Sequence, residues 1–396
     1  MQVTLCNRNH PEYGVATIPL PIPNEEYDNC ISLLEKLEIG DVTAHDCYLD
    51  QIADAPISLH FLEGTMINVD ELDFLARSLD RYTDMEMAQF QCMVATRENW
   101  DVQTLINLSF SCDMVTVITD FSKLDEVGKD HYIAMRGGAI PSEEYKQLNG
   151  FGIARALIAE GEGKITPYGV LFENGMHIEP IYDGNSFPTY SDQSYWMDLA
   201  LESPRDGEVI FFLPQPEKRL ERLLERGHIV QPAKMDIKSW DADLPDAVMD
   251  RINFQSESIR ELNLLCTAMN GMDQKQLQKL AAVVLYAKPE YAFQIRHLAE
   301  NMDQFEFVPS IKTAEDYGKY MIRSSGHFEY DENLEAYYDF EKYGADHIAW
   351  QAGDFNEMGY VSYHGVMSLE ELMMVEPTGL KPEHRQDKGM QMGGMT

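Results

Sequence analysis

Over 396 residues the chain carries 67 acidic and 31 basic side chains, a net charge of -36. The bias covers both halves, with 31 acidic and 11 basic residues up to Tyr190 and 36 and 20 beyond it, so this is no acidic tail on a neutral body. With no basic stripe to neutralise phosphates, such charge argues against nucleic acid and against anionic membranes, and makes a basic partner the natural complement.

An ordinary apolar share of 44% supports a folded core, and the length is a prior for two to three domains. The opening "MQVTLCNRNHPEYG" has no charged region followed by an apolar run, so no signal peptide is expected. No apolar stretch approaches spanning length. Cys6, Cys30, Cys47, Cys92, Cys112 and Cys266 form no C-x-x-C pair, which fits reduced, mostly buried thiols in a cytoplasmic protein.

Taken in chain order, alternating "VTLCN" and "VATIPLP" predict short strands. A helix follows Asn24, with Glu25 and Glu26 at the positive end of its dipole and Tyr27, Ile31 and Leu34 as its apolar stripe. "VTAHDCYL" from Val42 reads as a returning strand. Asn68, with Glu71 three residues on, has the pattern of a capping box and opens a helix whose face is Leu72, Leu75 and Leu79. Further helices are expected over Met85–Thr96 and Val102–Ser109. Beyond them come a strand at Val115–Ile118, a helix through "DEVGKDHY" and a strand at "YGVLF".

The chain then answers itself at an offset of 190 residues. "VDELDFLARSL" from Val69 falls on "IRELNLLCTAM" from Ile259, and Leu105 and Leu108 fall on Ile295 and Leu298. "DEVGK" at Asp125 meets "EDYGK" at Glu315, and Gly169 and Gly175 land on Gly359 and Gly365 without a gap. Identities are sparse, but the apolar phase holds throughout, which is the mark of a tandem duplication. Upstream the match is looser, "LPIPNEEY" at Leu20 against "LPQPEKRL" at Leu213. The expected fold class is therefore α+β: an elongated multi-module chain with two tandem copies of a small α/β module, a helical module and a second small α/β module. The first copy spans 1–62, 63–112 and 113–175. The turn-rich stretch 176–196 reads as a linker. The second copy spans 197–255, 256–304 and 305–376, and a disordered tail is expected over 377–396.

The third module of the second copy is crowded with carboxylates and tyrosines, and its "EDYGKY" from Glu315, "NL" at Asn333, "YDFEKYG" from Tyr338 and "GYV" from Gly359 resemble motifs of the ArdA antirestriction proteins. That family carries an acidic helix start of the type D/E-D-Y-G-R/K-Y, here Glu315-Asp316-Tyr317-Gly318-Lys319-Tyr320. Next come N-L, a Y-x-D-Y-x-x-Y-G segment and a G-Y-I/V strand, here Asn333-Leu334, Tyr338 to Gly344, and Gly359-Tyr360-Val361. "IPLPIPNEEY" and "AHDCYLD" are similar to the family's N-terminal piece, with Cys47 where tyrosine is usual. The first copy departs further, having Val127 where the second has Tyr317. The resemblance implies a DNA mimic that occupies the DNA-binding groove of Type I restriction–modification enzymes. It also implies a three-module unit about half this length that works as an elongated dimer, so that two units on one chain would make a monomeric pseudo-dimer; a homodimer of the chain is the alternative.

On that resemblance the phosphate-mimicking carboxylates of the second copy are Glu315, Asp316, Asp331, Glu332, Glu335, Asp339 and Glu341. Weaker candidates in the first copy are Asp125, Glu126, Asp130, Asp70, Asp73, Asp80, Asp84 and Glu86. Without the resemblance, solvated helix surface and capping would be the default reading of all of them. Tyr317, Tyr320, Tyr338 and Tyr343 are expected to pack rather than bind. Enzyme readings find little: paired carboxylates are uninformative in so acidic a chain. "GEGK" at Gly161 is too short for a P-loop, and His45, Asp46, Cys47 and Asp50 lack a second ligand pair for a metal. No catalytic constellation, metal or cofactor is expected. The rival classes are a generic acidic module for a basic partner, which 22 methionines would suit, and a surface charged only to tolerate high salt.

Overall fold

The computed structural model describes residues 1–97, 100–175, 180–189, 195–205, 207–229, 237–326 and 329–374; the expected tail lies outside them. The chain is an α+β assembly of small sheets and short helices that divides into two compact units, Met1–Asp243 and Leu244–Thr396.

The first unit opens with β1 (Gln2–Cys6), β2 (Val15–Pro19), α1 (Asn24–Lys36), β3 (Cys47–Ala53) and β4 (Met66–Ile67), in an antiparallel sheet of order β2-β1-β3-β4. Alternation in β1 and β2 sends Val3, Leu5, Ala16 and Ile18 inward, where the stripe Tyr27, Cys30, Ile31 and Leu34 of α1 belongs to the same core. The strand expected from Val42 starts only at Cys47, because Asp46 accepts backbone bonds from Gly40 and Asp41 at 3.0 Å and closes a turn first.

Helices α2 (Val69–Asp80), α3 (Asp84–Ala95) and α4 (Val102–Ser109) follow, capped by the side chains of Asn68, Thr83 and Asp101. At Asn68 only half of the anticipated capping box forms, since Glu71 turns to Tyr182 and His45 instead. Next come β5 (Val115–Ile118), α5 (Leu124–Met135), α6 (Ser142–Gln147), α7 (Gly150–Glu160), β6 (Lys164–Thr166) and β7 (Gly169–Glu173), with sheet order β5-β7-β6. The described part of the expected linker is built into the unit: Tyr182 is 1% exposed within the main core. The unit ends with β8 (Met197–Ser203), β9 (Gly207–Leu213), α8 (Glu217–Arg226) and β10 (Ile237–Ala242), order β10-β8-β9.

The second unit holds α9 (Asp246–Met249), α10 (Ile259–Met269), α11 (Gln274–Ala287) and α12 (Ala292–Glu300). They are followed by β11 (Phe305–Pro309), α13 (Ala314–Lys319) with a π turn at Tyr320–Ser324, and a 3₁₀ turn at Glu332–Tyr337. Last come α14 (Phe340–Gln351), β12 (Asp354–Phe355), β13 (Gly359–Tyr363) and α15 (Leu369–Met374), the sheet being β11-β13-β12.

Element starts keep the offset of 190: α2 and α10 at 69 and 259, α3 and α11 at 84 and 274, α7 and α14 at 150 and 340. Sheet register keeps it too, Ile118 facing Val170 as Val308 faces Tyr360. Gly169 and Gly359 both take positive φ, +148° and +154°, where a side chain would strike the carbonyl of Ile118 or Val308.

Candidate functional site

In the β11–β13 module, Gly318 of α13 and Gly344 of α14 let the two helix backbones touch. A Cβ on Gly318 would lie 2.0 Å from Phe340 O, and one on Gly344 1.9 Å from Ala314 O. Beneath the helices Tyr317 and Tyr360 are fully buried with ring centroids 4.1 Å apart, and both hydroxyls donate to Gln351 Oε1 at 2.9 Å. Burial pushes the Tyr317 phenol well above its ordinary range, so it stays neutral. Tyr320 and Tyr343 pack against this core, and Tyr338 stacks at a tilt on Phe340. All four tyrosines are packing residues, as their sequence suggested.

The carboxylates stand outside that core. Glu315, Asp316, Asp331, Glu332, Glu335, Asp339 and Glu341 are all exposed. Some carry local duties: Asp339 accepts from Lys342 N at 3.0 Å and caps α14, and Asp331 accepts from Asn333 N at 2.9 Å. Asp316 exchanges bonds with Thr313 at the start of α13. Glu315 pairs with Lys319 at 2.6 Å and Glu335 with Arg323, exposed contacts that neutralise little. Among the described residues Glu332 and Glu341 have no side-chain partner at all.

The first copy fares differently. On α5, Asp125, Glu126 and Asp130 are exposed, although Asp125 is held low in pKa by Lys129 at 2.6 Å and by the backbone N–H of Phe151. Asp80 and Asp84 are exposed, and half-buried Glu86 closes the capping box at Thr83. Asp70 and Asp73 are corrected by the structure: at 8% and 5% exposure they cannot face a partner. Asp70 accepts from Tyr27 Oη at 3.0 Å and from Arg222 Nη2 at 2.8 Å, while Asp73 accepts from Ile22 N at 2.6 Å and Arg77 Nε at 2.9 Å. Arg219 adds a bond of 3.4 Å to Asp73.

Sequence reasoning missed these arginines. Arg226, 2% exposed, donates to Tyr182 Oη at 2.6 Å and Asn68 Oδ1 at 2.8 Å, with Glu71 at 3.9 Å. The available signal was the spacing of Arg219, Arg222 and Arg226, which puts three guanidinium groups along one face of α8 in a chain with few basic residues. They line a cavity of about 110 Å³ whose carboxylates, Asp70 and Asp73, are already paired with them.

Of the cluster considered for a metal, His45 Nε2 lies 3.0 Å from Glu71 and Asp46 is bound to backbone; among the described residues no group of three His, Cys, Asp or Glu is placed to hold a metal ion. Five of the six cysteines are buried and all six are free. No helix among the described residues is long and apolar enough to cross a membrane. No curated protein matches the chain. The family model described as antirestriction protein (ArdA) matches residues 206–362, which hold the β11–β13 module up to Ser362 and its seven exposed carboxylates. Over those residues the chain is similar to the ArdA antirestriction proteins.

Proposed function

We propose that the protein acts by occupancy rather than catalysis, as a double-stranded DNA mimic lying in the DNA-binding groove of a Type I restriction–modification enzyme. The observation that carries this reading is the set of seven exposed carboxylates around a packed tyrosine core inside the family match. Electrostatics supports the scale: with one charge per ~1.7 Å of duplex axis, 36 net charges equal the phosphates of about eighteen base pairs. Such binding is steered at long range and weakened by salt.

We also infer that the chain is an internal duplication, so that one polypeptide carries two units that the family otherwise brings together as a dimer. The shared element spacing and strand register support this. The test is competition: a Type I methyltransferase core is pre-bound to labelled duplex, and DNA release is followed as the protein is added across a salt series. Near-stoichiometric release, with a histone control untouched, is the expected result. Equal capture of histone would instead leave a generic acidic module, and no release at low salt would end the mimic reading for that enzyme.

A further inference from the structure

Among the exposed carboxylates of the second unit stand large apolar side chains that its core does not use. Tyr337 is 85% exposed, Trp350 81% and Leu334 48%. Leu334 and Tyr337 stand three residues apart in the 3₁₀ turn Glu332–Tyr337, where side chains at that spacing eclipse and share one edge. Trp350 follows Asp346 by one helical turn on α14 and sits at a tilt over His347, ring centroids 5.8 Å apart. Single exposed rings are ordinary on protein surfaces. Their placement is what sets these apart.

At the positions 190 residues upstream the chain has Glu144, Gln147 and Glu160 in place of Leu334, Tyr337 and Trp350. The first copy thus lacks these three side chains, although its matching stretch exposes Tyr145 (46%) and Phe151 (51%) at other positions; residues 329–351 hold seven acidic side chains and one lysine, whereas 139–161 hold three acidic and two basic. Tryptophan and tyrosine are also the residue types that most often anchor protein interfaces, because a large rigid ring fills a pocket at small entropic cost.

We propose that Tyr337, with Leu334 beside it, and Trp350 are apolar anchors that seat this part of the second unit in a protein partner whose groove is basic and has hydrophobic pockets along it. The proposal rests on the DNA-mimic reading and deepens it, since duplex DNA projects no such rings beyond its phosphates. Charge complementarity selects the occupant: a second copy of this chain would bring carboxylates such as Glu332, Glu341 and Asp346 against their own kind. Affinity then has two parts, a salt-steep one from the carboxylates and a salt-flat one from the rings.

The test uses the full chain carrying Tyr337→Ala and Trp350→Ala, in the same competition against labelled duplex on a Type I methyltransferase core. Unchanged melting temperature checks folding, and a Tyr337→Phe/Trp350→Phe variant checks that a ring suffices. The expected result is at least ten-fold weaker competition at every salt concentration with the same salt slope, recovered in the phenylalanine variant. Glu332→Gln with Glu341→Gln should instead flatten the slope. Native-like competition by the double alanine variant overturns the anchors and leaves the mimic standing. Failure of the native chain to release DNA overturns both readings. A self-associated native chain that the alanine variant dissociates on sedimentation shows the rings to be a dimer contact and overturns the anchors as well.

Discussion

Glu257 shows what a single carboxylate costs when the fold takes it out of water. It is 5% exposed, and its Oε1 accepts from the backbone N–H of Ala292 at 2.8 Å, at the first turn of α12. Burial nevertheless raises its pKa, and Glu261 four residues on raises it further against the lowering by that bond. A folded pKa above the unfolded one means that the contribution to stability is fully present below the unfolded value and is lost as pH rises through the folded one. Glu257→Gln keeps an acceptor for Ala292 and removes the charge. It should therefore melt higher than the native chain at pH 7, with the gain closing as pH falls toward 4. A thermal series over that range checks it, and a lower melting temperature at pH 7 would show that the helix N-terminus needs the charge. Asp70 and Asp73 meet the same problem by a different route, since arginines neutralise them and leave little to gain from removing the charge.

At the scale of elements, the touching helices α13 and α14 carry Glu315, Asp316 and Glu341, with Asp339 as the cap of α14. Gly318→Ala would drive a Cβ to 2.0 Å from Phe340 O, and the counterpart Gly128→Ala to 1.8 Å from Gly150 O. Backbone cannot give way as a side-chain tip can, so the helices must part, an overpacking strain of roughly 1–3 kcal/mol. A lowered denaturant midpoint in both variants is expected; for Gly318→Ala alone, weaker competition with DNA should accompany it. The glycines stood in step in the sequence, in "DEVGK" and "EDYGK"; helical periodicity placed α2 to α4, and the 190-residue offset carried a helical module to the second copy. What they are for was hidden, because a close approach between segments 22 residues apart leaves no periodic trace. The same holds for the buried aspartates. Asp70 looked like a surface residue in the first turn of a helix, and its arginine lies 152 residues away on α8. Compact units were likewise not where the turn-rich stretch suggested, since β8, β9, α8 and β10 group with the first unit and the division falls at 243.

Whole-molecule charge separates the mimic from a chain that is acidic only to survive brine. A net -36 repels itself, and the exposed ion pairs are too few to offset it. Moderate salt should therefore raise the melting temperature at pH 7. The Debye length falls from about 10 Å at 0.1 M to about 3 Å at 1 M, so the gain should be nearly complete within that span. Lowering pH toward the sequence pI of about 4.5 discharges the same carboxylates, and the salt effect should shrink with them. The measurement is a melting series in sodium chloride from 0.05 to 3 M, repeated near pH 5. Stability that keeps climbing steeply through the molar range would mean that the carboxylates serve to hold hydration rather than to meet a partner. A plateau leaves the charge with no role in the fold's own stability, and a surface that weakens its own protein is kept for what it binds.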